Sequence, residues 1–137
     1  MPEFDPRTDY PIGERRPDLL RTPRGFSIDD LTMDNLRTGE IPDDEFRTSP
    51  ATLRMQADVA RVVDRGQLAD NLDRAAELAS IPDVVILDVY TALRPGRSTA
   101  AVLEKWAEAL ETGYGAPRTA ALVREAAVAY AEKGLLE

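Results

Sequence analysis

The sequence predicts an all-α protein, with an extended proline-rich N-terminal arm followed by a small helical bundle. Three features point that way. Seven of the ten prolines fall within the first 50 residues, where each removes a backbone N–H and restrains the residue before it. From Ser49 onward, apolar residues recur at helical spacing in an alanine-rich background, and alanine is the strongest helix former. One run with strand character, Val84-Val85-Ile86-Leu87, finds no partner strand elsewhere in the chain. The expected organisation is an arm over residues 1–26, short helical turns and an acidic loop over 27–48, and a helical domain over 49–137.

In the arm, Pro2, Pro6, Pro11, Pro17 and Pro23 recur too often for a continuous helix. Tyr10-Pro11-Ile12, Leu19-Leu20 and Phe26 form apolar islands, which suit docking onto another surface better than an autonomous core. The plain alternative, strongest for residues 1–9, is a disordered tail. Residues 27–39 hold cap-like spacings, Ser27-x-x-Asp30 and Thr32-x-x-Asn35, and Gly39 can close a helix in the left-handed conformation. Residues 41–47 read as an acidic turn.

Ser49-Pro50 fits an N-cap with proline at the first helical position. Met55, Val59, Val62 and Val63 then share a helix face, and Leu68, Leu72, Ala75 and Ala79 repeat the spacing. Gly66 leaves two possibilities, one long helix that bends or two helices that meet. Residues 83–94 could be a buried strand, but Ile86, Tyr90 and Leu93 fit helical spacing and the length favours a helix. Pro95 and Gly96 end it. Ser98 is placed to cap a helix carrying Val102, Trp106 and Leu110, with Leu103 beside them. Gly113 and Gly115 punctuate the chain. Pro117 opens a last helix in which Leu122, Ala126, Ala129 and Tyr130 share a face, and Gly134 frays its end.

Composition narrows function. The 137 residues suit one domain. A net charge of −8 argues against nucleic acid, which needs a basic stripe to replace phosphate counterions. Fifteen of the 17 basic residues are arginine. GC-rich codon usage explains that blandly; the sharper reading is that arginine's planar fork suits interface ion pairs. With no cysteine and no histidine, disulfides, thiolate nucleophiles, Cys-ligated metals and the commonest general base are all missing. The longest all-apolar run, residues 126–131, falls far short of the ~20 residues needed to span a bilayer. The first residues carry no basic region followed by an apolar core. The expectation is a protein of the cytoplasm, or of a compartment reached from it, without membrane or nucleic-acid partners.

Candidate chemistry is thin. Asp43-Asp44-Glu45, and Asp29-Asp30 with Asp34, could hold a hard cation but lack a loop's glycine turn, and solvated acidic turns explain them. Asp58, Asp64, Asp70, Asp73, Glu77 and Asp88 could pair as acid and base, yet helical arithmetic places Asp70 near Arg74 and Asp73 near Glu77 on polar faces. Arg94-Pro95-Gly96-Arg97-Ser98 could hold an anion; a structural corner pairing with acidic helices or a partner chain is the simpler reading. Trp106, Tyr90, Tyr114 and Tyr130 are core or interface anchors before they are pocket walls. No catalytic, cofactor-binding or metal-ligating residue is expected on this chain.

The order of several segments adds a resemblance. Tyr10-Pro11, Thr22-Pro23-Arg24-Gly25, Leu36-x-x-Gly39-Glu40-Ile41, Thr52-Leu53-x-x-Gln56-Ala57, Asn71-Leu72-x-Arg74-Ala75-Ala76-Glu77-Leu78, Ile81-Pro82-Asp83, Tyr90-x-Ala92-Leu93-Arg94-Pro95, Arg97-Ser98 and Val123-Arg124-Glu125-Ala126 follow one another at specific intervals. Together they resemble the small subunits of adenosylcobalamin-dependent diol/glycerol dehydratases over about nine-tenths of the chain. Gly96 departs from the pattern, since family members carry an aromatic residue between the proline and the arginine. The resemblance implies a mostly helical, non-catalytic subunit in a doubled complex of large, medium and small chains. It also implies adenosylcobalamin held by the other subunits, with radical dehydration of propane-1,2-diol, glycerol or ethylene glycol on the large chain. The complex would be free in the cytoplasm or enclosed in a bacterial microcompartment. The small subunit would brace the large chain, through an interface expected to include Tyr10, Pro11, Leu19, Leu20, Phe26, Tyr90, Arg94 and Arg97. The rival readings are a stand-alone helical adaptor or regulatory protein with a disordered acidic arm, and a small autonomous enzyme using carboxylates and arginines.

Overall fold

The computed structural model describes residues 3–137, and the helical expectation holds. Its helices are α1 (Ile12–Arg15), α2 (Met33–Thr38), α3 (Pro50–Val62), α4 (Gly66–Leu78), α5 (Asp83–Ala92), α6 (Ala100–Glu108) and α7 (Pro117–Lys133). Short 3-10 turns lie at Pro17–Leu19, Ile28–Asp30 and Asp43–Phe46, and a π-helical turn at Ala109–Gly113. Among the described residues the β pairing is one isolated antiparallel bridge, Arg21 to Ser27. The chain forms two compact units, one ending at Ala76 and the other Glu77–Glu137.

In the first unit the prolines punctuate local turns. Pro11, after a cis peptide with Tyr10, immediately precedes α1, and Pro17 opens the next turn, where a missing N–H matters least. Ile12 is buried. Thr22 and Phe26 close a loop, the Thr22 N–H donating to the Phe26 carbonyl and the Phe26 N–H to Thr22 Oγ1. The Ser27 N–H and hydroxyl both donate to Asp30, which holds that carboxyl below the ordinary value. Thr32 caps α2 through the Asn35 N–H, Gly39 closes it at φ 76°, and Ser49 caps α3 through the Thr52 N–H with Pro50 at its first position. The acidic turn differs from its expectation at one residue. Glu45 is 2% exposed and accepts from the Arg24 N–H while its other oxygen lies 3.3 Å from Arg24 Nε.

At Gly66 two helices meet. Asp64 takes φ 57° in the connection, and Gly66 begins α4. Their expected apolar faces are turned. Ala57, Ala60 and Ala69 are buried, while Val63 and Leu68 are exposed. Helices that meet on alanine approach closely, and the larger side chains are displaced to the flank of the contact.

The second unit holds the larger core: Ile81, Val89, Leu103, Ala107, Leu110, Ala116, Ala120 and Val123. Residues 83–92 are helical, and α5 turns Val85, Ile86 and Val89 toward that core. The buried line of α6, Leu103 and Ala107, continues to Leu110 in the π turn; of the expected stripe Leu110 is buried, Val102 faces out and Trp106 lies at the margin. On α7 Ala120 and Val123 are buried and Ala127 and Tyr130 are half-buried against the same core, with Leu122 outside. Alanines fill much of both faces, so the bulky residues alone misplace them, and the π turn shifts the phase after α6. The cap of α6 is Thr99 instead of Ser98, its hydroxyl accepting from the Val102 N–H. Ser98 is buried, and its carbonyl accepts from the Glu137 N–H.

Candidate subunit interface

The eight residues expected at an interface are distributed over both units. In the first, Tyr10 and Pro11 are exposed, and Leu19, Leu20 and Phe26 are half-buried. Tyr10 flanks an open groove of about 660 Å³ whose walls are mainly Val59, Val63, Leu68 and Leu72, with Arg65 and Gln56 also lining it. Leu20 and Phe26 line a different depression of about 250 Å³, together with Ile28, Leu31 and Phe46. Leu19 lines neither.

In the second unit α5 carries the feature. With Val85, Ile86 and Val89 inward, the other side presents Val84, Leu87 and Tyr90, which are 63%, 65% and 57% exposed. Two residues past the helix begins the turn carrying Arg94 and Arg97, both exposed. The turn is tied down at three points. Tyr130 Oη donates to the Leu93 carbonyl at 2.6 Å, the Gly96 N–H to the Leu135 carbonyl at 2.8 Å, and the Glu137 N–H to the Ser98 carbonyl at 3.0 Å. Gly96 sits at φ 71°, a left-handed conformation that disfavours a side chain, although a Cβ there would meet no neighbouring atom.

Ion pairs set the electrostatics. Arg16 bridges Asp18 and Asp9, which raises its already high pKa and lowers that of Asp18. Arg61 on α3 pairs with Asp73 on α4 and with Asp58, and its pKa is raised chiefly by Asp73. Arg124 on α7 reaches Glu111 in the π turn and Glu104 on α6, which together raise it.

Sequence reasoning missed one group. Glu77, expected on a polar face, is 9% exposed and accepts three hydrogen bonds: from the Arg118 N–H at 2.9 Å, the Thr119 N–H at 2.8 Å and Thr119 Oγ1 at 2.7 Å. It does the work of an N-cap for α7, whose own N-cap position is Ala116 with no acceptor side chain. The available signal was that mismatch: a helix opening on Ala116-Pro117 needs an acceptor from outside.

Among the described residues, no buried side-chain nitrogen or oxygen lacks a partner, and no three His, Cys, Asp or Glu side chains are grouped to hold a metal ion. No helix among them is long and apolar enough to cross a membrane. What the surface offers is exposed tyrosine, leucine and arginine on well-tethered backbone, chemistry suited to protein–protein contact.

Comparison with known proteins gives a consistent match. Residues 6–137 match the family described as dehydratase small subunit. Over 130 residues the chain is 42% identical to the propanediol dehydratase small subunit of Citrobacter freundii, covering 95% of this chain and 76% of that one. It is likewise 42% identical over 130 residues to the propanediol dehydratase small subunit of Salmonella typhimurium, covering 95% of this chain and 75% of that one.

Proposed function

The chain belongs to the dehydratase small-subunit family, and from that premise we propose that it is the non-catalytic small subunit of a cobalamin-dependent diol dehydratase. It braces the large catalytic chain, which converts 1,2-diols such as propane-1,2-diol or glycerol to aldehydes by radical loss of water. The observation that carries this reading is a match running nearly the whole length of the chain. Adenosylcobalamin belongs to the large and medium chains in this reading. This chain has no histidine or cysteine with which to ligate cobalt, so no step of the chemistry is assigned to it.

Its contribution is surface. Tyr10, Pro11, Leu19, Leu20 and Phe26 on the proline-rich arm, residues 1–26, lie across the large chain, and Tyr90, Arg94 and Arg97 form a second contact. Apolar groups that leave water in such a contact contribute about 25 cal/mol per Å². The arginines supply register by bidentate pairing to carboxylates more than they supply raw affinity. The assembly resides in the cytoplasm, free or enclosed in a microcompartment.

Co-expression of this chain with the large and medium dehydratase chains of its organism tests the proposal. The three should co-purify, and adenosylcobalamin-dependent conversion of propane-1,2-diol to propionaldehyde should fall sharply when this chain is omitted. Failure to co-purify, together with undiminished turnover in its absence, would refute it.

A further inference from the structure

We propose that Leu87, Tyr90, Arg94 and Arg97 form one docking surface, that its occupant is an acidic patch on the large dehydratase chain, and that Tyr130 with residues 135–137 holds the arginine turn in the shape that patch requires. This rests on the small-subunit reading above and specifies the chemistry of one of its contacts.

Charge identifies the occupant. The chain carries a net charge of −8, yet this turn presents two arginines three positions apart. The other two arginines of the second unit are engaged, Arg124 with Glu104 and Glu111, and Arg118 with a partner of its own. Among the described residues, Arg94 and Arg97 form no ion pair. Asp83 stands at the opposite end of α5, Asp88 lies six residues before Arg94, and Glu137 is tethered at Ser98 beside the turn, yet none of them pairs with either arginine. A surface with carboxylates facing the turn and apolar side chains facing Leu87 and Tyr90 complements this arrangement in both sign and polarity. Guanidinium forks grip carboxylates in pairs of parallel hydrogen bonds, so such a surface is recognised by geometry as well as charge.

The tethers give the turn its second property. Hydrogen bonds at Leu93, Gly96 and Ser98 flank Arg94 and Arg97 on both sides, and the Arg97 N–H donates to the Arg94 carbonyl within the turn. The backbone carrying both arginines is therefore ordered before any partner arrives, and binding immobilises side chains only. Such preorganisation raises affinity by lowering the entropy lost on association. Tyr130 is a positioning residue in this scheme, acting through the Leu93 carbonyl.

The test measures affinity of the full chain for the large dehydratase chain of the same organism, at low and high salt. Arg94→Ala combined with Arg97→Ala should weaken binding about 30-fold and flatten its salt dependence. Both side chains are exposed, so the variant should keep its circular dichroism and melting temperature. Tyr130→Phe should weaken binding about fivefold in the native background and cause no further loss in the double-arginine variant, the signature of coupling through the turn. A double-arginine variant with native affinity and native salt dependence overturns the docking surface. An equal loss from Tyr130→Phe in both backgrounds overturns the tethering role. A wild-type chain that does not bind the large chain at all overturns the small-subunit reading instead.

Discussion

A carboxylate that accepts three hydrogen bonds inside a helical unit leaves three donors behind when it is removed. Glu77→Ala strands the Arg118 and Thr119 N–H groups and the Thr119 hydroxyl at the start of α7. Loss of an N-cap and of charge-assisted bonds to buried donors is expected to cost about 3 kcal/mol. Glu77→Gln retains an acceptor oxygen and should cost about 1 kcal/mol. Urea denaturation of the two variants checks the order, and a harmless Glu77→Ala would show that α7 is capped by water instead. The same residue marks where the sequence ceased to be readable. Asp73 and Glu77 share a helix side by arithmetic, but Asp73 pairs with Arg61 while Glu77 turns inward. What separates them is the position of an uncapped helix start some forty residues later, a non-local fact that helical periodicity does not contain.

The helices of the chain were legible where their signals are local. Ser49-Pro50 opens α3, Gly39 closes α2, Pro117 opens α7 and Gly134 closes it at φ 66°. These positions are fixed by missing N–H groups and left-handed backbone, so they survive any packing arrangement. Faces were less legible. Alanine is buried in α3, α4, α6 and α7, and because it is small and common it gives no phase to a pattern read from bulky residues. A pair of substitutions on α6 tests the corrected phase. Leu103→Ala, at a position 1% exposed, should destabilise the protein by about 3 kcal/mol. Val102→Ala, one residue away and facing out, should lie within about 0.5 kcal/mol of neutral because alanine favours the helix. Thermal or urea unfolding distinguishes the two, and equal losses would return the helix to its expected orientation.

For the molecule as a whole, exposed apolar groups are the dominant unexplained quantity, with Met33, Val63, Leu87, Tyr90 and Val128 among the largest. Exposed apolar side chains mark a contact site where they group on one element, as Leu87 and Tyr90 do on α5. On the proposed small-subunit reading, the isolated chain is expected to bind a hydrophobic dye and to associate with itself as concentration rises, and to lose both behaviours when the large chain is added. Dye fluorescence and light scattering, with and without that chain, measure this; unchanged dye binding in the complex would count against a partner-covered surface. The residues expected at an interface were chosen by type, tyrosine and arginine beside prolines; their separation into a groove, a depression and a tethered turn was not legible, because each depends on which neighbours are buried. The link from Glu77 to Thr119 has one more consequence, felt during synthesis. It joins positions 42 residues apart, so at about 10 residues per second the ribosome needs roughly 4 s after making Glu77 to make its partner. Until Thr119 has been made and has cleared the ribosome, the Glu77 carboxylate has no helix start to cap, so the core that α7 shares with α5 and α6 can close only after that point.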